Sequence, residues 1–190
     1  MDVLKAIKTR RSIRKYKSKP IDDKTVERIL EAARWAPSWA NIQCWRFIVV
    51  RDSEIRNKLA DTAIDVAEGK PNRGTEAMRV TPIAIVACAE MKKAGYSFRE
   101  PKKPVTDKGD WYMYDVALAM QNLTLAAHSL GLGTVHIGAF DAIKAAKILG
   151  VPEGFAVVAM TPLGYPDEEP KIRPRKELAE IVFYDKFGDG

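Results

Sequence analysis

The sequence predicts an α+β fold, and three observations lead there. Segments of helical period alternate with short apolar runs of β type, without a strict βαβ rhythm. No Gly-x-Gly-x-x-Gly follows any of those runs, so a Rossmann dinucleotide site has no support. The longest helical segment, residues 111–130, is apolar on nearly every side, as expected of a helix buried partly by a second subunit.

Taken in order, Val3, Leu4 and Ile7 predict a short first helix that ends near an arginine run. Asp22 or Asp23 can cap a second helix, with Val26, Ile29, Leu30 and Ala33 spaced i, i+3, i+4, i+7 along one face. Pro37 stops it, because the residue before a proline is pushed out of helical geometry. A loop over 36–41 then leads into a strand over 45–50. Ser53 opens a third helix, with Ile55, Leu59, Ala63 and Val66 on one side. Residues 68–82 are polar and punctuated by glycine and proline. The run 83–89 is continuously apolar, the pattern of a strand buried on both faces. Lysines and prolines dominate 91–110, which predicts a mobile excursion over the surface carrying Tyr96 and Phe98.

After the 111–130 helix, Gly131 is a natural stop. A strand over 134–137, a helix from an Asp141 cap to Leu149 with Gly150 as its stop, and a strand over 155–163 complete the body. From about residue 165 the chain turns rich in proline and charge. It then gains Leu178, Ile181, Val182 and Phe183, which suits an arm packing on a second subunit.

The length of 190 residues slightly exceeds one typical domain, so a single domain over 1–190 is expected. An apolar content of 46% is ordinary for a globular chain and sufficient for a core. No stretch approaches the roughly 18 apolar residues that a membrane helix needs. At the start, Val3, Leu4 and Ile7 are interleaved with Asp2, Lys5 and Lys8 rather than forming a signal-peptide run, so the cytoplasm is the expected compartment. Cys44 and Cys88 make no disulfide framework and suit a reducing environment. His128 and His136 stand at no zinc-like spacing to them, so no metal is expected.

The net charge of +6 is concentrated: Lys5, Lys8, Arg10, Arg11, Arg14, Lys15, Lys17 and Lys19 follow one another with no acid between them. Such a run is ordinarily a solvated face, and a nucleic-acid arm is a second option. A third is that some of the arginines serve one small anion. Arg10-Arg11-Ser12-Ile13-Arg14 offers guanidinium forks and a hydroxyl within five residues, a good match to phosphate oxygens. Pro37-Ser38-Trp39-Ala40-Asn41-Ile42-Gln43 supplies a hydroxyl and two amides beside indole rings, although a helix-ending turn uses Pro and Ser equally well. Arg173-Pro174-Arg175 adds cations on a proline-stiffened segment. Cys44 and His128 are read as packed core groups, and Trp39, Trp45 and Trp111 first as core or interface residues.

With these segments in this order, the chain resembles the FMN-dependent nitroreductase family. The matching stretches are Arg10-Arg11-Ser12-Ile13-Arg14-Lys15-Tyr16, the segment 36–47, residues 115–133, Gly164-Tyr165-Pro166 and Arg173-Pro174-Arg175. The resemblance implies a central mixed or antiparallel sheet surrounded by helices, in an intertwined homodimer with FMN at the interface. It implies that Arg10, Arg11, Ser12 and Arg14, with Arg173 and Arg175, hold phosphate, ribityl or the polar ring edge. Pro37, Ser38, Trp39, Asn41 and Gln43 would lie along the flavin from the partner subunit. Backbone around Ile137 and Gly138 would approach flavin N5.

The family usually has proline where this chain has Cys44, and its ring-edge group from the third-helix region falls in 65–77, with Asn72 and Arg73 as candidates. The implied activity is two-electron transfer, in turn, from NAD(P)H to flavin and from flavin to a nitroaromatic, quinone or activated alkene. The chemistry lies on the flavin, so no catalytic side chain is expected. A specialised flavin-fragmenting or dehalogenating member is the alternative, and a basic nucleic-acid-binding protein is a weaker one.

Overall fold

The computed structural model describes residues 1–65 and 72–188. Helices α1 (Val3–Thr9) and α2 (Asp23–Arg34) precede strand β1 (Trp45–Val50). Then come α3 (Ser53–Ala60), α4 (Arg73–Val80), β2 (Ile83–Glu90), α5 (Tyr112–Ser129), β3 (Gly133–Thr134), α6 (Ala142–Leu149) and β4 (Phe155–Gly164). The sheet has the order β1-β2-β4-β3 and every pairing is antiparallel. This is the expected α+β architecture.

Strand β2 explains why its sequence is apolar without alternation. Ile83, Ile85, Ala87 and Ala89 pack into a core with α2 and α5, while Ala84, Val86 and Cys88 face a second core with α3 and α6. Both faces are covered, so every residue from Ile83 to Ala89 is buried. The caps follow sequence chemistry. Asp22 accepts the Thr25 amide and Asp141 the Lys144 amide, and Gly150 adopts φ +65° to end α6.

The structure corrects several expectations. Helix α3 ends at Ala60; Ala63 instead forms a β-bridge with Phe140, and Val66 lies outside the described residues. Within the polar 68–82 stretch, 73–80 form α4, started by Asn72 accepting the Gly74 amide and anchored by buried Ala77 and Met78. Two apolar anchors are too few to show a helical period. The strand expected over 134–137 is regular only through Thr134, and Ile137 rejoins the sheet by a single bridge to Met160. Helix α5, as expected of a helix only partly covered by its own chain, leaves Met113 and Tyr114 exposed.

The 91–110 excursion returns on itself. Tyr96 bridges Pro104, the Val105 amide donates to Gly95 O, and Asp110 accepts the Lys92 amide. No helix of the described residues is long and apolar enough to cross a membrane.

Candidate functional site

The arginine run leaves the end of α1 and docks on the sheet edge. The Ile13 amide donates to Thr134 O at 2.9 Å, and Ser12 pairs in parallel with Thr134 on β3. Ile13 is buried with Tyr16 and Ala77, which fixes the alternation and turns its neighbours Ser12 and Arg14 the other way. Gly133 makes the approach possible: a Cβ there would lie 2.7 Å from Ile13 Cβ. The C-terminal segment clips on beside it. The Lys17 amide donates to Tyr165 O, the Asp167 amide to Lys15 O, and one Glu168 carboxylate oxygen accepts the amides of both Arg14 and Lys15.

This docking brings two sequence-predicted segments to one cavity of about 780 Å³. Arg10, Arg11, Ser12 and Arg14 line it from one side and Arg173 and Arg175 from the other. Arg73, at the start of α4, joins them. A smaller adjoining cavity shares Arg10, Ser12 and Arg14 and continues to Thr124, Thr134 and His136. Neither is lined by an Asp or Glu among the described residues. Burial first, then the charges of Arg175 and Arg11, hold the Arg10 guanidinium below its ordinary range. Crowded cations with no acid in the lining are an arrangement suited to an anion. Arg11 is partly committed elsewhere, since its guanidinium donates to the carbonyls of Lys8 and Arg10.

The loop Pro37–Gln43 is placed apart and lines neither arginine cavity. Ala40, Asn41 and Gln43 have φ of 45°, 55° and 48°, a left-handed geometry that Asn tolerates but that costs roughly 1–2 kcal/mol at residues such as Ala40 and Gln43. The loop is therefore held from outside and inside. Ser38 Oγ accepts the Gln43 amide, Gln43 Nε2 donates to Asn41 Oδ1, and the Trp39 amide donates to Asp115 Oδ1 at 3.1 Å. Asp115, fully buried in the first turn of α5, also accepts the Cys44 thiol at 3.7 Å. Burial, then Asp115, pushes that thiol up to about 12, so Cys44 is an inert packed donor. Trp39 stacks on Phe98 of the 91–110 excursion at 5.3 Å.

Ile137 is buried and both its backbone groups are committed to Met160, whereas Gly138 is exposed with open space around its α-carbon. Any backbone contact to a ligand there falls to Gly138. Asn72 is used as the α4 cap, and its amide reaches Ala139 O at 3.4 Å. His128 and His136 hydrogen-bond Thr9 and Thr124, and burial followed by Arg10 holds both imidazoles below their ordinary range. Sequence reasoning missed Glu168 and Asp115. A lone acid within a nearly all-apolar helix was a signal for Asp115; Glu168, one acid among several in the tail, gave none.

Comparison with known proteins agrees with this architecture. A relative from Archaeoglobus fulgidus, whose name pairs NADH dehydrogenase with NAD(P)H nitroreductase, is 38% identical over 88% of this chain and 87% of its own. The crystal structure of a nitroreductase family protein from Clostridium novyi is 32% identical, with a TM-score of 0.76 over 99% of this chain and 96% of that one. The NADPH:FMN oxidoreductase of Vibrio harveyi, solved with NAD+, is 28% identical, with a TM-score of 0.80 over 98% of this chain and 78% of that one. The nitroreductase family model matches residues 7–165, the body that carries both the arginine run and the 37–43 loop, and the chain belongs to the nitroreductase family.

Proposed function

We propose that the arginine-lined cavity receives the phosphate of FMN, and that the protein is an NAD(P)H-dependent oxidoreductase acting on a small acceptor such as a nitroaromatic or quinone. One observation carries this: Arg10, Ser12 and Arg14 meet Arg173 and Arg175 in one acid-free cavity, among the described residues, although more than 150 positions separate them. Guanidinium forks and a hydroxyl fit a monoester phosphate.

When bound, FMN would take up hydride from the nicotinamide and return two electrons to the acceptor. The chain supplies position and electrostatics. Arg10, Ser12, Arg14 and Arg175 hold the phosphate. Gly138 offers a free backbone N–H near the ring edge. Pro37, Ser38, Trp39, Asn41 and Gln43 lie along the ring, contributed by the partner in a homodimer; their separation from the arginine cavity within one chain supports that arrangement.

Dimerisation is further supported by apolar residues left exposed: Val3, Leu4 and Ile7 on α1, Met113 and Tyr114 on α5, and Leu178, Tyr184 and Phe187 on the C-terminal arm. The protein is taken as one domain with that arm, working in the cytoplasm. Heat release of the cofactor and chromatographic identification test the proposal. FMN at about one per chain is expected, and FAD or no flavin refutes it.

A further inference from the structure

The cavity holds more positive charge than one FMN phosphate can use, and the charges lie in two tiers. Arg10, Arg11 and Ser12 are half-buried and make the inner tier, or floor, whereas Arg14 and Arg175 of the same lining are exposed. Around the mouth stand exposed Lys8 from the last turn of α1, Arg73 from the first turn of α4, and Lys171 and Arg173 from the tail. Lys8, Lys171 and Arg173 enter no ion pair among the described residues. Like charges gathered at one mouth repel, and among the described residues no acid holds them there.

A phosphate monoester carries about −1.5 to −2 at neutral pH, which the floor and Arg14 can match. NADH brings only a diphosphate linkage. NADPH adds a second monoester, with the terminal oxygens that guanidinium forks and ammonium groups recognise.

On the FMN assignment above, we propose that the rim cations Lys8, Arg73, Lys171 and Arg173 bind the 2′-phosphate of NADPH, making NADPH the preferred electron donor. The cavity, about 780 Å³, is large enough for more than one phosphate group.

The test is calorimetric titration of the FMN-loaded protein with NADP+ and with NAD+, beside kcat/KM for the two reduced donors. NADP+ is expected to bind at least about tenfold tighter, an advantage that shrinks as added salt screens the exposed rim. Lys8→Ala with Lys171→Ala removes most of that advantage, and Lys8→Arg with Lys171→Arg retains it. Equal affinities, tighter NAD+, or a preference that survives the double alanine substitution overturns the proposal. Visible absorbance separates the two assignments. A colourless protein that still prefers NADP+ refutes the FMN site alone, and a yellow one without preference refutes the rim site alone.

Discussion

Glu168 holds Arg14 by its backbone rather than by its charge: one carboxylate oxygen accepts the Arg14 amide and, at 3.1 Å, the Lys15 amide. The Arg14 side chain stays free to face the cavity while its main chain is fixed. Two opposed effects follow from removing Glu168. The clamp is lost, which lets Arg14 wander, and a negative charge near an anion site disappears, which favours phosphate. The second acts across a solvent-facing cavity of high dielectric and is the smaller. Glu168→Ala should therefore weaken FMN binding by about fivefold, roughly 1 kcal/mol, with Glu168→Gln intermediate because its amide oxygen still accepts. Fluorescence titration of the apo-protein decides; tighter binding in both variants would mean the charge effect dominates.

Arg14→Ala addresses the ligand side of the same residue. The side chain is exposed and makes one long internal contact, 3.5 Å to Ser12 O, while the backbone amide would keep its bond to Glu168. Losing a charge-assisted hydrogen bond costs about 1.5–3 kcal/mol, or roughly 10- to 150-fold in FMN affinity. Circular dichroism should show an unchanged fold. Unaltered affinity would assign Arg14 to the solvated face and leave the phosphate to Arg10 and Arg175.

Gly133→Ala tests how the arginine run is seated. The new methyl would meet Ile13 at its branched, inflexible Cβ rather than at a side-chain tip. Overpacking of this kind costs about 1–3 kcal/mol, and here it would also lift Ser12 and Arg14 off β3. A Tm lowered by several degrees together with reduced FMN occupancy is expected. Full occupancy at wild-type Tm would show that the 12–14 segment can shift freely.

The body of the fold was legible wherever a residue carried its own local signal. Asp22 and Asp141 announced their helices, Pro37 the end of α2, and 83–89 a doubly covered strand. Helix α4 was not legible, since its stability comes from Asn72 and two buried residues rather than a periodic face. The site divides the same way. Residue types able to grip phosphate stand out in the sequence, but their union depends on long-range docking: Thr134 on Ile13, Glu168 on Arg14, Tyr165 on Lys17. The Asp115 contact with Trp39 spans 76 positions and no local pattern encodes it.

Asp115 sets the final prediction, which concerns pH. The carboxyl is fully buried, and that burial raises its proton affinity more than the Trp39 amide and Cys44 thiol lower it. The folded protein therefore binds this proton more tightly than the unfolded chain. Well below the ordinary value of 3.8 both states are protonated, and Asp115 adds no pH dependence. As pH rises through that value the unfolded chain releases its proton first, so stability falls until the folded carboxyl also ionises, and is constant thereafter. Cys44, held up to about 12, stays a protonated donor throughout this range and does not confuse the result. Asp115→Asn keeps an oxygen for the Trp39 amide but cannot ionise. Its stability relative to wild type, from urea unfolding between pH 3 and 8, should climb from about pH 4 and then level off. A difference that falls with pH would mean the two donors outweigh burial, and that ionised Asp115 is what ties the 37–43 loop to α5.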